Sequence, residues 1–205
     1  MALLGKTKFG YSAGNMPFGI HYSWVIVAVL AIVQVFGSSV FMIAGVMVPP
    51  LTDPEGGFRW GIGELSMAIG LYYVFSAMFA PITGHLGDRF GARPMMFVGA
   101  VMYGVGMVAL GFVSELWHFF VFYSFLMSFT ASITMVPMMA SVSGWFRRRM
   151  GWGVGILWAT GGIGTAILAP LIAYMLESMG WQAAFTAVGV AGTAVMLLVF
   201  PFIRS

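Results

Sequence analysis

The chain has 205 residues, 60% of them hydrophobic and 7% charged, with a formal net charge of +3. A soluble domain carries roughly a quarter charged residues, so this composition excludes one and leaves a polytopic membrane protein that hides its apolar surface in lipid. There is no cysteine, which excludes a disulfide framework, a thiolate nucleophile and a cysteine metal site.

Residues 1–23 hold Lys6 and Lys8 but no apolar run or cleavage site, so no cleaved signal peptide is expected. They read as an N-terminal tail, either lying along the cytoplasmic interface through Phe9, Tyr11, Phe18 and Tyr22 or unstructured. From Trp24 onward the charge-free intervals are each long enough for the roughly 20 apolar residues of a spanning helix. They predict six helices at about 24–48, 64–84, 94–113, 117–142, 152–176 and 182–203, the first ending at Pro49-Pro50. Helices are required because an open sheet leaves backbone groups unpaired in hydrocarbon. The whole of 24–205 therefore reads as one six-helix transmembrane bundle.

Six spans put both termini on one side. Eight of the nine basic residues (Lys6, Lys8, Arg89, Arg93, Arg147, Arg148, Arg149 and Arg204) then share that side, and only Arg59 lies opposite. The positive-inside bias makes the termini cytoplasmic. The same placement assigns the basic residues to membrane topology and excludes nucleic acid as a partner.

A shift of 89 positions lays "APITGHLGDRFGARP" (80–94) over "APLIAYMLESMGWQA" (169–183). Ala80, Pro81, Asp88 and Gly91 fall on Ala169, Pro170, Glu177 and Gly180, while Arg89 and Arg93 fall on Ser178 and Gln182. Three helices invert topology, so the second copy lies outside, where positive charge is not needed. This predicts an inverted 3+3 repeat, a known transporter construction.

The stretch "GHLGDRFGARP" resembles the loop between helices 2 and 3 of the major facilitator superfamily, through Gly84, Leu86, Asp88, Arg89, Gly91 and Arg93. Gly87 replaces the usual small residue, and Ala92 stands where a further basic residue is common. "GWQAAF" (180–185) is similar to the superfamily's entry to helix 6, with Gln182 for Arg. "VPPLTDPEGGFRWGIGELS", "SGWFRRRMGWGVGI" and "TGGIGTAILAPL" look like the monocarboxylate porter and oxalate/formate antiporter branch. The resemblance covers 24–205 and implies the N-terminal six-helix half of a twelve-helix fold, with "FPFIRS" where the linker to helix 7 begins.

Read from the residues, Gly91 permits a bend, Arg89 and Arg93 hold the loop inside, and Asp88 accepts hydrogen bonds at the start of helix 3. The resemblance implies more: a cytoplasmic gate of Gly84, Asp88, Arg89, Gly91 and Arg93, with Asp88 pairing to Arg147, Arg148 or Arg149. It also implies that helices 1 and 4 line a central path, which makes Gln34, Ser38, Ser128 and Ser132 the candidate cavity residues; Ser124, Thr130 and Thr134 share helix 4. Packing between helices is the competing role for each hydroxyl, less so for Gln34, whose amide needs several partners. The glycines of helix 5 lie in a charge-free span without a preceding strand and point to close packing, not to a dinucleotide loop.

No catalytic residue, cofactor site or metal site is expected, and the chain is not read as an enzyme. The expected function is half of a secondary transporter that moves a small organic anion, monocarboxylate-like, by alternating access. It needs a second six-helix half: a second copy of itself in a homodimer, a separate chain, or a lost or omitted C-terminal half. The alternative is a truncated accessory subunit of a larger membrane complex without transport. The expected location is a bacterial inner (plasma) membrane, with the lipid bilayer itself as a partner.

Overall fold

The computed structural model describes residues 22–52, 58–145 and 150–200. All regular structure among them is helical. The helices are α1 (Tyr22–Thr52), α2 (Ile62–Phe90) and α3 (Ala92–Gly111), then α4 in three continuous pieces, then α5 (Met150–Met179) and α6 (Trp181–Val199). The pieces of α4 are an α turn Leu116–Phe119, a π-helical stretch Phe120–Met127 and an α-helix Ser128–Trp145. Helices α2 to α6 are each long and apolar enough to cross a membrane. In α1 the corresponding stretch among the described residues is the shorter Val27–Val40.

Two boundaries depart from the sequence reading for identifiable reasons. α1 runs through Pro49-Pro50 to Thr52, because Leu51 is fully buried and anchors the last turn. The Trp60 N–H then donates to the Leu51 carbonyl at 3.2 Å, folding the chain back. α2 continues to Phe90, so most of "GHLGDRFGARP" is helix and the break is the single residue Gly91. Pro81 and Pro170, matched by the 89-residue shift, sit inside α2 and α5.

Both tight corners use the same backbone. Gly91 has φ 87°, ψ 163° and Gly180 has φ 80°, ψ 162°, a region open essentially to glycine alone. Each corner closes with the same bond: Gly91 N–H to Gly87 O at 2.8 Å, and Gly180 N–H to Leu176 O at 3.1 Å. Donors and acceptors both differ by the 89 positions of the sequence repeat.

The principal packing pairs are α1 with α5, α2 with α4, α3 with α6 and α3 with α4. α3 is the most enclosed of the spans and α2 the least. The core runs through Leu30, Leu65, Tyr72, Tyr103, Met107, Met127, Leu157 and Phe185. Glycines let the paired helices approach: a Cβ at Gly164 would lie 2.7 Å from Val35 Cα, and one at Gly189 would lie 2.5 Å from Met107 Cβ. At one end of the bundle Phe58 stacks on Trp60 at 4.8 Å and meets Trp181 edge-on at 6.1 Å. At the other end the Arg93 guanidinium sits 5.1 Å from the Phe200 ring.

Candidate substrate cavity and gate

α1 and α4 touch each other little, because α1 packs chiefly on α5, and α4 on α2 and α3. Between them opens a cavity of about 450 Å³. α1 lines it with Val33, Gln34, Gly37 and Val40, and α4 with Thr130, Ala131, Thr134, Met135 and Met138. α2 adds Tyr72, Tyr73 and Ser76, α5 adds Trp158, and Tyr103 and Met196 reach it from α3 and α6. The first three helices and the last three therefore contribute to one space.

Of the four residues expected there from sequence, Gln34 lines the cavity. Its amide lies against Gly161, where a Cβ would come within 3.1 Å of Nε2. Ser38, Ser128 and Ser132 are buried and are not among the cavity-lining residues. Ser38 donates to Val35 O at 2.6 Å and Ser128 to Phe125 O at 2.8 Å, both within their own helix. Ser132 shares a buried 2.8 Å hydrogen bond with Thr83 of α2. Ser124 likewise turns to α2, donating to Ala68 O at 2.8 Å. The serine stripe of α4 thus faces α2, while the threonine stripe beside it, Thr130 and Thr134, faces the cavity.

The Ser132–Thr83 bond ties α2 directly to α4. Ser132→Ala is expected to lower stability by about 0.6 kcal/mol, the usual size of such bonds between membrane helices. Thermal unfolding in lipid nanodiscs measures it, and an unchanged midpoint would show the bond to be idle.

The sequence reading missed Tyr72, Tyr73, Ser76, Tyr103 and Trp158, because it considered helices 1 and 4 alone. A signal was available. Tyr and Trp are enriched at membrane interfaces, so a Tyr pair and a Trp in mid-span mark a place where polar ring edges find partners. Tyr103 does so, its hydroxyl lying 2.7 Å from Ser39 Oγ.

The charged segment divides differently from the expectation. Gly84 and Gly87 lie in α2 and face α4, where a Cβ would stand 3.8 Å from Val136 and 3.9 Å from Pro137. Asp88 is exposed in the last turn of α2, and α3 begins at Gly91 without a side-chain cap, so Asp88 does not cap α3. Arg89 lies 5.5 Å from the Phe90 ring centroid. Arg147, Arg148 and Arg149, the expected partners of Asp88, lie outside the described residues. At the opposite end Glu64 acts locally, its carboxylate accepting from Gly61 N–H at 3.2 Å and closing the start of α2.

Known proteins share this sequence pattern. Monocarboxylate transporter 11 of Homo sapiens is 25% identical over 168 residues, which is 82% of this chain and 35% of that protein. Riboflavin transporter RibJ of Trypanosoma brucei brucei is 30% identical over 149 residues, 69% of this chain and 27% of that protein. Multidrug resistance protein MdtG of Dickeya zeae is 30% identical over 147 residues, 67% of this chain and 34% of that protein. The chain spans about a third of the length of the curated relatives it matches. The family model of the Major Facilitator Superfamily matches residues 28–205, and the chain belongs to that superfamily.

Proposed function

We propose that this chain forms the first six-helix half of a secondary transporter, a carrier and not an enzyme. It moves a small monocarboxylate-like anion by alternating access, together with a second six-helix half. The observation that carries this reading is the cavity between α1 and α4, to which both helix triplets contribute. Transporters built from inverted repeats hold their substrates at such a repeat interface, near the bilayer midplane.

The inverted 3+3 architecture has its own support. Exchanging the first three helices with the last three turns the α1–α5 pair into α4–α2 and leaves α3–α6 unchanged. Those are three of the four principal pairings; the fourth, α3 with α4, has only a weak counterpart in α6 with α1. The corners at Gly91 and Gly180 share one backbone conformation. Both termini are cytoplasmic in this reading, since the charged corner at Arg89 and Arg93 then lies inside. The membrane is a plasma membrane, the inner one in a bacterium.

Gly84, Asp88, Arg89, Gly91 and Arg93 form the inner gate with Arg147, Arg148 and Arg149. A carboxylate in the last turn of a helix opposes the helix dipole, so Asp88 is tolerated at a local cost that a gate contact offsets. Uptake of a panel of labelled monocarboxylates, with pyruvate and phenylpyruvate among them, into proteoliposomes tests the reading, with this chain reconstituted alongside its second half. Saturable uptake is expected, and Asp88→Asn is expected to slow it by about tenfold, within the usual range of coupling between conformational elements. Absence of uptake under every ion gradient would refute the transporter reading.

A further inference from the structure

Resting on the transporter reading, we propose that the cavity between α1 and α4 receives the body of an aromatic or bulky apolar monocarboxylate, not a two- or three-carbon acid, with the Gln34 amide as its neutral hydrogen-bonding contact. Three properties of the site lead there. The first is size. At about 450 Å³ the cavity falls within the ~300–1,000 Å³ of sites that enclose drug-sized ligands, and a very small acid leaves most of it unfilled.

The second property is charge. None of the described lining residues is ionised at neutral pH: they are Tyr, Trp, Met, Val, Ala, Gly, Ser, Thr and one Gln. A carboxylate is held by a cation or by several converging donors, and burying one without them is strongly disfavoured. The part of the substrate that meets this half is therefore its uncharged part. Tyr72, Tyr73, Tyr103 and Trp158 supply ring faces and edges suited to an aromatic body.

The third property is the state of the polar groups. Thr130 donates to Leu126 O at 2.9 Å, Thr134 to Thr130 O at 2.9 Å, and Tyr103 is paired with Ser39. These groups are already occupied by the fold. Among the described residues the Gln34 amide makes no hydrogen bond, although it offers two donors and an acceptor at membrane depth. An amide held against Gly161 and facing an apolar cavity is placed to meet a hydroxyl or carbonyl on a ligand.

The test is equilibrium binding to the full chain in lipid nanodiscs. The probes are labelled phenylpyruvate, pyruvate and the uncharged 3-phenylpropanamide. Phenylpyruvate is expected to bind at least about tenfold more tightly than pyruvate, since apolar burial drives it. Gln34→Leu is expected to weaken phenylpyruvate by about tenfold, one hydrogen bond's worth. Trp158→Ala, which alters a half-exposed side chain, is expected to do the same without affecting the fold. Trp152→Ala, on the same helix but outside the cavity, serves as the control and is expected to change nothing.

Equal affinity for pyruvate, binding of neither acid, or undiminished phenylpyruvate binding in both cavity variants would overturn the proposal. The two readings fail separately. If the amide binds this chain as well as the acid, the apolar-body site is supported, since this half meets only the uncharged part of the substrate; the organic-anion reading falls only if no carboxylate of the uptake panel is transported. If pyruvate is transported while phenylpyruvate neither binds nor competes, the transporter reading stands and this inference falls.

Discussion

Gly164→Leu is expected to destabilise the protein by about 3 kcal/mol, the upper end of the usual overpacking cost. The first atom of any side chain at this position would meet Val35 Cα at 2.7 Å, together with Val35 Cβ and Ser38 Oγ at 3.1 Å. A flexible side chain can move aside, but Val35 Cα is backbone in the middle of α1. The larger residue therefore forces α1 and α5 apart along their whole contact. That separation also shifts Gln34, one residue before Val35, so cavity binding should weaken together with stability. The comparison is Gly162→Ala, two residues away on the same helix. Gly162 is exposed and a Cβ there meets nothing within 4 Å, so alanine should be neutral or gain up to ~1 kcal/mol of helix propensity. Unfolding midpoints of the two variants in nanodiscs decide the matter. If they moved together, the close approach of α1 and α5 at Gly164 would be wrong.

Gly91→Ala and Gly180→Ala are each expected to cost about 1–3 kcal/mol, and nearly the same amount as each other. Neither corner is crowded, since a Cβ at either glycine meets nothing within 4 Å. The cost is conformational: φ of 87° and 80° with ψ near 160° is a backbone state that a Cβ makes unfavourable. The control is Gly87→Ala, inside α2, where the nearest atom to a Cβ is Pro137 Cγ at 3.9 Å, an ordinary contact. That variant should hold or slightly raise stability. Equality of the two corner variants is the informative part, because one corner carries arginines and the other does not. Matching losses would separate turn geometry from inside charge, whereas a loss at Gly91 alone would tie the geometry to Arg89 and Arg93.

Much of the fold was legible because its signals are local or periodic. Charge-free intervals marked the spans, and the 89-residue offset anticipated two corners whose backbones coincide to within a few degrees. The glycines of helix 5 pointed to close packing, which holds for Gly161 and Gly164 against α1 but not for Gly151, Gly155 and Gly162, where a Cβ meets nothing within 4 Å. Helix ends were less legible. Two prolines usually stop a helix, yet α1 continues because a buried Leu51 outweighs them. The glycines at 84 and 87 resemble a loop, yet the helix continues because they face α4 and leave room for it.

The cavity shows the limit most clearly. Sequence alone determined that α4 carries two hydroxyl stripes, Ser124, Ser128 and Ser132 beside Thr130 and Thr134, and that Gln34 needs a partner in mid-membrane. It also determined the membrane class and the 89-residue offset that relates the glycine corners at Gly91 and Gly180. Which stripe faces the cavity was decided only by the tertiary structure. Every one of these hydroxyls bonds to a carbonyl of its own helix or to α2, so polarity does not distinguish the stripes. The choice follows from how α2 and α3 lie on α4: α2 covers the serines and brings Tyr72, Tyr73 and Ser76 to the cavity, while Thr130 and Thr134 line it, Thr134 lying against Gly99 of α3.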